Sequence, residues 1–369
     1  MVGAGIVGAS TAWWAMRAGR RVVVLEAERV AAGATGRSTG FLATGSLRPF
    51  TSLARAVGEE RALRLWELTH ENLTLLRREV LAAGRIDCGW HADGSWRTAP
   101  SGSGAEAEWE ESAERLARHG FAVDWREREA TRRESGSPVL GGALHVEGDG
   151  GVDPVALCRG LLAHSGAEVR SGVAVRGVEA AGDRVRVTWP GGEVVARSVI
   201  LAVNSHVRPL VPAVAGKLEL VGVEVLATAP TAPRLSGMWV VAPHGLAARQ
   251  LADGTLLAAA PADSAVGGGY LEAPTAAGQA RLEATLQEVL PAAHRAPVLH
   301  RWSGTIVRTQ DGLPWVRSVP GVPAAAYACG FNGGGLSLGF ALGRRLARWA
   351  GDGDEKHLTL FQATAPTPA

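Results

Sequence analysis

Apolar residues along this chain change their period several times, and each change marks an element. Ile6 to Met16 is a run of small and apolar residues, longer than a typical strand and followed by Gly19, suited to the turn after a helix. Arg21-Val22-Val23-Val24-Leu25-Glu26 reads as a short buried strand ending in an acid. Over 52–83, Leu63, Leu65, Leu68, Leu73, Leu76 and Val80 recur among charged neighbours and predict a helix. Residues 105–119 predict another, and Pro154 to His164 a third, started by Asp153-Pro154. Gly94 to Thr98 reads as a strand. From Glu168 to Leu201 the period falls to two: Val173, Val175 and Val178, then Val185 and Val187, then Val194 and Val195 alternate with polar residues. Turns at Gly182-Asp183 and Gly191-Gly192 make this a β-meander. Ser198 to Ala202 is again a buried strand, 218–260 is strand-rich, and helices are expected over 275–289 and around 342–349.

Before the first helix stands Gly3-Ala4-Gly5-Ile6-Val7-Gly8, the spaced glycines of a dinucleotide-binding turn. Glycine permits the tight turn and lets bare backbone approach a pyrophosphate at a helix N-terminus. Glu26, about twenty residues on, stands where a carboxylate takes hydrogen bonds from ribose hydroxyls. Turn, helix, strand and acid follow in the order of a βαβ unit, and that pattern alone leaves FAD and NAD both open. Only Met1 and Val2 precede the glycines; they read as the tail of the unit's first strand, with more native residues expected upstream of a start site placed too late.

Further motifs carry a resemblance. Gly33-Ala34-Thr35-Gly36-Arg37-Ser38-Thr39-Gly40 follows the acid; Trp302-Ser303-Gly304 and Thr309-Gln310-Asp311-Gly312-Leu313-Pro314 come late; Gly330-Phe331-Asn332-Gly333-Gly334-Gly335 precedes the last helix. From residue 3 to about 350 the chain resembles the FAD-dependent D-amino-acid-oxidase-like family, which includes glycine and sarcosine oxidases and gamma-glutamylputrescine oxidase.

The resemblance implies an α/β fold class, with a Rossmann-like FAD-binding domain carrying the meander and an α+β substrate domain with a mixed sheet. The FAD domain is expected over 1–50, 150–215 and 300–369, and the substrate domain over 51–149 and 216–299. It implies that Gly3, Gly5, Ile6, Val7 and Gly8 cradle the pyrophosphate and that Glu26 and Ala27 meet the adenosine ribose. Thr35, Gly36, Arg37, Ser38, Thr39 and Gly40 form a second glycine-rich loop at phosphate and flavin, and Val175 offers backbone to adenine. Asn204, Gly304, Gly330, Gly333, Gly334, Gly335, Leu336 and Ser337 complete the flavin site.

It further implies oxidation of a C–N bond in an amine or amino acid, with hydride passing from the substrate carbon to flavin N5 and an imine as product. No catalytic acid–base residue is assigned, because the flavin carries the difficult step. The substrate pocket is expected at Phe41, Ile306, Arg308, Asn332 and Gly334, with a plain core aromatic as the alternative for Phe41. Glycine-oxidase-like members carry a carboxylate-gripping arginine four residues after the tryptophan of the late motif; here that position is Ile306, and Arg308 follows two residues on. A histidine of many members is replaced by Gly334. No cysteine stands near Gly304, so FAD is expected to be non-covalent. No lysine stands in the strand near Leu256, where some oxidases place one to activate dioxygen. The alternatives are a flavin-dependent dehydrogenase or hydroxylase in a biosynthetic pathway, and a flavin-binding protein without turnover.

Composition narrows the partners. Lys+Arg 38 against Asp+Glu 36 gives net charge +2, too balanced to point to nucleic acid or a membrane surface. Cys88, Cys158 and Cys329 have no metal-type spacing, and no metal site is expected. Without a signal-like start or a membrane-length apolar run, the expected location is cytoplasmic and the expected partner a small amine or amino acid.

Overall fold

A computed structural model of the chain describes residues 1–82, 84–232, 235–265, 269–291 and 296–361. Ala83, the end of the helix expected over 52–83, lies outside the described residues. Within that stretch the chain forms helices Phe50–Val57 and Glu59–Leu76 and a π-helical turn Arg77–Leu81. Gly58, at φ 87°, breaks the first two apart.

Val2 occupies a slot between two strands, bridging in parallel to Leu25 on one side and Leu201 on the other. The Val2 N–H donates to the Ile200 carbonyl at 2.9 Å, and the Gly3 N–H to the Leu25 carbonyl at 2.8 Å. Around Val2 the strands run in the order Glu168–Arg170, Val23–Leu25, Val2, Val199–Leu201, Val322–Cys329 and, antiparallel at the edge, Trp315–Val319. Glu168–Arg170 therefore belongs to this parallel sheet, not to the meander that the alternation predicted. Period two is the same in either sheet and does not choose between partners. The meander itself is Gly177–Ala181, Arg184–Trp189 and Gly192–Ala196. Val175 lies in the link before it.

Alternation divides the residues of the parallel sheet between two cores. Val199, Leu201, Ala325 and Tyr327 pack with Val185 and Val187 of the meander. Ile200, Ala326 and Ala328 pack with helices Ile6–Arg17, Pro154–Ser165 and Gly335–Asp352. The last helix starts at Gly335, well before the expected Leu342. Gly339 and Gly343 weaken its local helical signal, but they are where the first helix crosses it. A Cβ at Gly343 would lie 2.6 Å from Ser10 Cβ, and one at Gly339 2.9 Å from the Ile6 side chain. Close packing here overrides propensity.

A second, eight-stranded sheet runs in the order Val298–Thr309, Leu218–Pro230, Thr255–Ala265, Leu246–Gln250, Met238–Val241, Ser95–Pro100, Leu140–Val146 and Asp124–Arg126. One face is dry: Leu226, Trp239, Ala248, Leu256 and Ala258 pack against Leu282, Leu286 and Val289 of helix Ala276–Val289. Register places Ala247, Arg249, Leu257, Ala259, Val223, Gly304, Ile306 and Arg308 on the other. There Ala247, Leu257, Ala259 and Val223 are only half-buried, although their strands lie inside the sheet. Their neighbours Ala248, Leu256, Ala258 and Leu226 are all 0% exposed. Val225, Ala227, Met238 and Val240 on this face are buried, so the opening is confined to Val223, Ala247, Leu257 and Ala259. In the strand near Leu256, where no lysine stands, Leu256 points into the dry core and Leu257 faces the other side.

A buried ion pair ties the sheet to the loops of the parallel-sheet unit. Arg97 and Asp149 have side chains 1% and 0% exposed and lie 3.3 Å apart. Asp149 also accepts from the Thr44 N–H at 2.7 Å and the Ser95 hydroxyl at 2.6 Å. Arg97 donates to the Thr44 carbonyl at 2.5 Å. Burial pushes the Asp149 carboxyl above its ordinary pKa and the Arg97 guanidinium below, so each depends on the other to stay charged.

Two stability tests follow from these contacts. Gly343→Val drives a side chain into Ser10 and is expected to cost about 1–3 kcal/mol, read as a lower urea midpoint with unchanged slope. Asp149→Asn strands a buried guanidinium and is expected to cost about 3–5 kcal/mol. Replacing Arg97 and Asp149 together by Met and Leu recovers much of that loss in the same assay if charge burial is the cause.

Candidate active site

Parallel strands put their carboxyl ends at one edge of a sheet, and the loops that leave that edge meet. Here these are Gly3–Gly5 after Val2, Glu26-Ala27 after Leu25, Ala202–Asn204 after Leu201, and Gly330–Gly334 after Cys329. The link holding Val175 leaves the same edge after Arg170, and the Val173 N–H donates to the Glu26 carbonyl at 2.8 Å. Residues far apart in sequence are thus collected by topology.

The first turn is built for close approach. Gly3 has φ 96°, and a Cβ there would stand 2.6 Å from the Ala202 carbonyl oxygen. At Gly8 a Cβ would collide with the Gly3 carbonyl, so helix and turn pack backbone to backbone. Helix Ile6–Arg17 has Gly5 at its cap, with no local capping side chain and no acid in its first turn. Helix Gly335–Asp352 begins in the same way after Gly334. Both N-termini keep their partial positive charge for a guest. Glu26 is half-buried; its Oε2 accepts from the Ala4 N–H at 2.7 Å and its Oε1 from the Glu28 N–H at 2.9 Å. The carboxylate is held against the glycine turn, where ribose hydroxyls would meet it, and Ala27 beside it is exposed. Bare glycine backbone, two helix starts with glycine at the cap and this acid fit a dinucleotide.

The second glycine-rich loop lies against the first. Thr35 Oγ1 accepts from the Ile6 N–H at 3.1 Å, and a Cβ at Gly5 would touch that hydroxyl. Arg37 crosses to the large sheet: its Nη1 donates to the Ser303 carbonyl at 3.0 Å, and its own carbonyl accepts from Trp302 Nε1 at 2.9 Å. Gly304 faces the Arg37 side chain, which would sit 3.5 Å from a Cβ there. Ser38 turns back to the Thr35 carbonyl at 2.8 Å. Thr39 and Gly40 are buried. The open sheet face therefore looks onto this loop.

Of the expected pocket residues, Phe41 and Ile306 are half-buried, and Ile306 shares the open face with Gly304 and Arg308. Arg308 is exposed. Asn332 does something else. At φ 51°, its Oδ1 accepts from the Thr309 N–H at 3.1 Å, and its Nδ2 donates to the Gly330 carbonyl at 2.7 Å. Its amide shapes the loop, so the backbone around it, not the side chain, faces the site. Asn204 likewise holds Gly330, accepting from its N–H at 3.1 Å. Ser337 accepts from the Ala43 N–H at 2.9 Å, Leu336 is buried, and Gly333 and Gly335 flank the helix start.

Sequence reading passed over Arg249 and the Arg97–Asp149 pair. The signal was a charge inside an apolar strand pattern, Leu246-Ala247-Ala248-Arg249-Gln250. The cysteines are free and buried, and burial pushes the Cys88 thiol up to about 11. Among the described residues, no helix is long and apolar enough to cross a membrane.

Comparison with known proteins agrees with this geometry. The chain is 24% identical over 375 residues to the probable oxidoreductase OrdL of Haemophilus influenzae, covering 98% of this chain and 84% of that protein. It is 30% identical over 233 residues to the gamma-glutamylputrescine oxidoreductase of Escherichia coli, covering 62% of this chain and 54% of the relative. Glycine oxidase from Bacillus cereus superposes with a TM-score of 0.80 at 18% identity, over 100% of this chain and 98% of that one. L-proline dehydrogenase from P. horikoshii does so with a TM-score of 0.82 at 17% identity, over 97% and 94%. At such identities these likenesses speak to fold alone. A family model described as FAD dependent oxidoreductase, DAO, matches residues 1–349. The chain belongs to this DAO family and is an FAD-dependent oxidoreductase.

Proposed function

We propose that this oxidoreductase oxidises a C–N bond in a small amine or amino acid bound between the large sheet and the second glycine-rich loop. The observation that carries the reading is the partly open part of the sheet face at Val223, Ala247, Leu257 and Ala259, on the side where Gly304 meets Arg37 and Arg249 meets Gly40. FAD, when bound, supplies the acceptor of a hydride from the carbon next to nitrogen, leaving an imine that water hydrolyses. The protein's own task is to hold and orient. Gly3, Gly5 and Gly8 admit the pyrophosphate, and Glu26 takes the ribose. The start of helix Gly335–Asp352 would offer its positive dipole to negative charge on the flavin. Phe41 and Ile306 wall an apolar space that excludes water and fixes the substrate's reacting carbon. No side chain is assigned as a proton carrier. FAD is held without a covalent bond.

Three measurements test this reading. The purified protein is expected to show visible flavin bands that bleach under anaerobic addition of at least one amine or amino acid; bands that no member of a broad panel bleaches would leave a flavin-binding protein without turnover. Denaturation and filtration should release all the flavin into solution. For the ribose contact, Glu26→Gln removes charged hydrogen bonds worth about 1.5–3 kcal/mol. FAD affinity of reconstituted apoprotein, read by quenching of flavin fluorescence, is expected to fall by roughly tenfold to a hundredfold. An unchanged affinity would place the ribose elsewhere.

A further inference from the structure

Away from the glycine loops, helix Glu59–Leu76 and the end of strand Leu140–Val146 leave a cavity of about 90 Å³ between them. Its walls are apolar: Leu73, Val123 and Val146 are buried, and Phe121 is half-buried. Thr44 forms the floor, with its N–H on Asp149 and its carbonyl on Arg97, so the floor is fixed before any guest arrives. The rim is polar. His70 and Thr74 stand one turn apart on the helix, and Arg77 follows where the helix widens into its π-helical turn. All three line the cavity and are exposed to solvent.

The rim offers donors that the protein leaves unused. Among the described residues, Arg77 forms no ion pair and no hydrogen bond. Its guanidinium lies over the Trp90 ring at 5.5 Å, beside Gly148, which steadies the side chain and leaves its N–H groups open. The His70 ring and the Thr74 hydroxyl likewise have no partner among the described residues. The acids nearby are committed: Glu71 to Arg344 and Arg345, Glu79 to Arg17 and Arg78, and Asp149 to Arg97. Glu147 acts on His145, which points to the opposite face of the strand from Val146. A fixed cation above an apolar hollow, with no carboxylate of its own, suits a guest that brings one.

Size and surroundings limit that guest. At roughly 30 Å³ for each water, the cavity holds about three waters or a body of about three carbons. A bare phosphate would leave the apolar walls wet, and a cationic ligand would face Arg77. The cavity is also separate from the open part of the sheet. Val146 lies three strands from Arg249, in register through Met238 and Ser95, or roughly 14 Å at the ordinary strand spacing. Both intervening residues are buried.

We propose that this cavity is a second ligand site that takes a short-chain aliphatic carboxylate, with its charge on Arg77 and its chain against Leu73, Phe121, Val123 and Val146. It lies outside the place proposed for oxidation and does not depend on that reading.

Binding of butyrate to the FAD-loaded protein, followed by broadening of the butyrate methyl signal in NMR titrations, tests this. Wild type is expected to bind butyrate with a dissociation constant of roughly 1 mM. Butyramide and inorganic phosphate should bind at least tenfold more weakly. Arg77→Gln should weaken butyrate about tenfold, and Arg77→Lys, which keeps the charge, should lose less. Thr74→Trp plugs the mouth from an exposed helix position and should remove the broadening that this cavity causes. Flavin content and melting temperature report whether each variant folds, and if one fails the other decides. Absence of binding by wild type at about 10 mM would overturn the proposal. So would equal binding of butyramide or phosphate. Broadening that is the same in wild type, Arg77→Gln and Thr74→Trp would place butyrate at another site and overturn it as well.

Discussion

Everything at the site depends on how closely the first and last helices cross. Gly339 and Gly343 let helix Gly335–Asp352 lie against Ile6 and Ser10 with almost no side chain between them. That contact fixes two helix starts, from opposite ends of the chain, at one edge of the parallel sheet. Neither start has a local capping side chain or an acid in its first turn. Thr35 Oγ1 takes the Ile6 N–H at the first start, and the partial positive charge of both starts stays directed at the same place. Larger residues at the crossing would separate the two starts, and the loops after Val2 and Cys329 would no longer meet.

The second layer is joined to the first by few but specific contacts. Arg37 grips the Ser303 carbonyl, Trp302 grips the Arg37 carbonyl, and the Arg97–Asp149 pair ties the loop at Thr44 to strand Ser95–Pro100. These hold the large sheet across from the glycine loops while Val223, Ala247, Leu257 and Ala259 stay partly exposed. The contrast between the sheet's faces expresses the same design. The helix-covered face is dry and well packed, while the other keeps apolar residues half-exposed in the middle of a sheet. Packing alone would close such a gap, since exposed apolar area is unfavourable at roughly 25 cal/mol per Å².

Much of the cofactor region is legible in the sequence, because its signals are local. Gly3, Gly5 and Gly8 precede a helix, and Glu26 ends the next strand. The loops Gly33–Gly40 and Gly330–Gly335 interrupt otherwise apolar stretches. Long-range pairing is not legible in the same way. Glu168–Arg170 alternates like the meander but pairs with Val23–Leu25. Asn332 looks like a pocket residue, and its amide is committed to Thr309 and Gly330. Which of Leu256 and Leu257 faces the site depends on register with Ala227 and Arg249. Arg249 is the clearest case: its burial comes from Gly40, Gly151 and Val152, and the last of these lies 97 residues away in sequence.

The central claim is that the gap between the sheet and the second glycine-rich loop is where flavin and substrate meet. The most direct measurement is a crystal structure of the FAD-loaded protein. The account predicts the flavin ring in that gap, with Phe41 and the face bearing Ile306 and Leu257 around it and the pyrophosphate over Gly3–Gly8. A ring bound elsewhere, or a gap filled by the protein's own side chains, would contradict it.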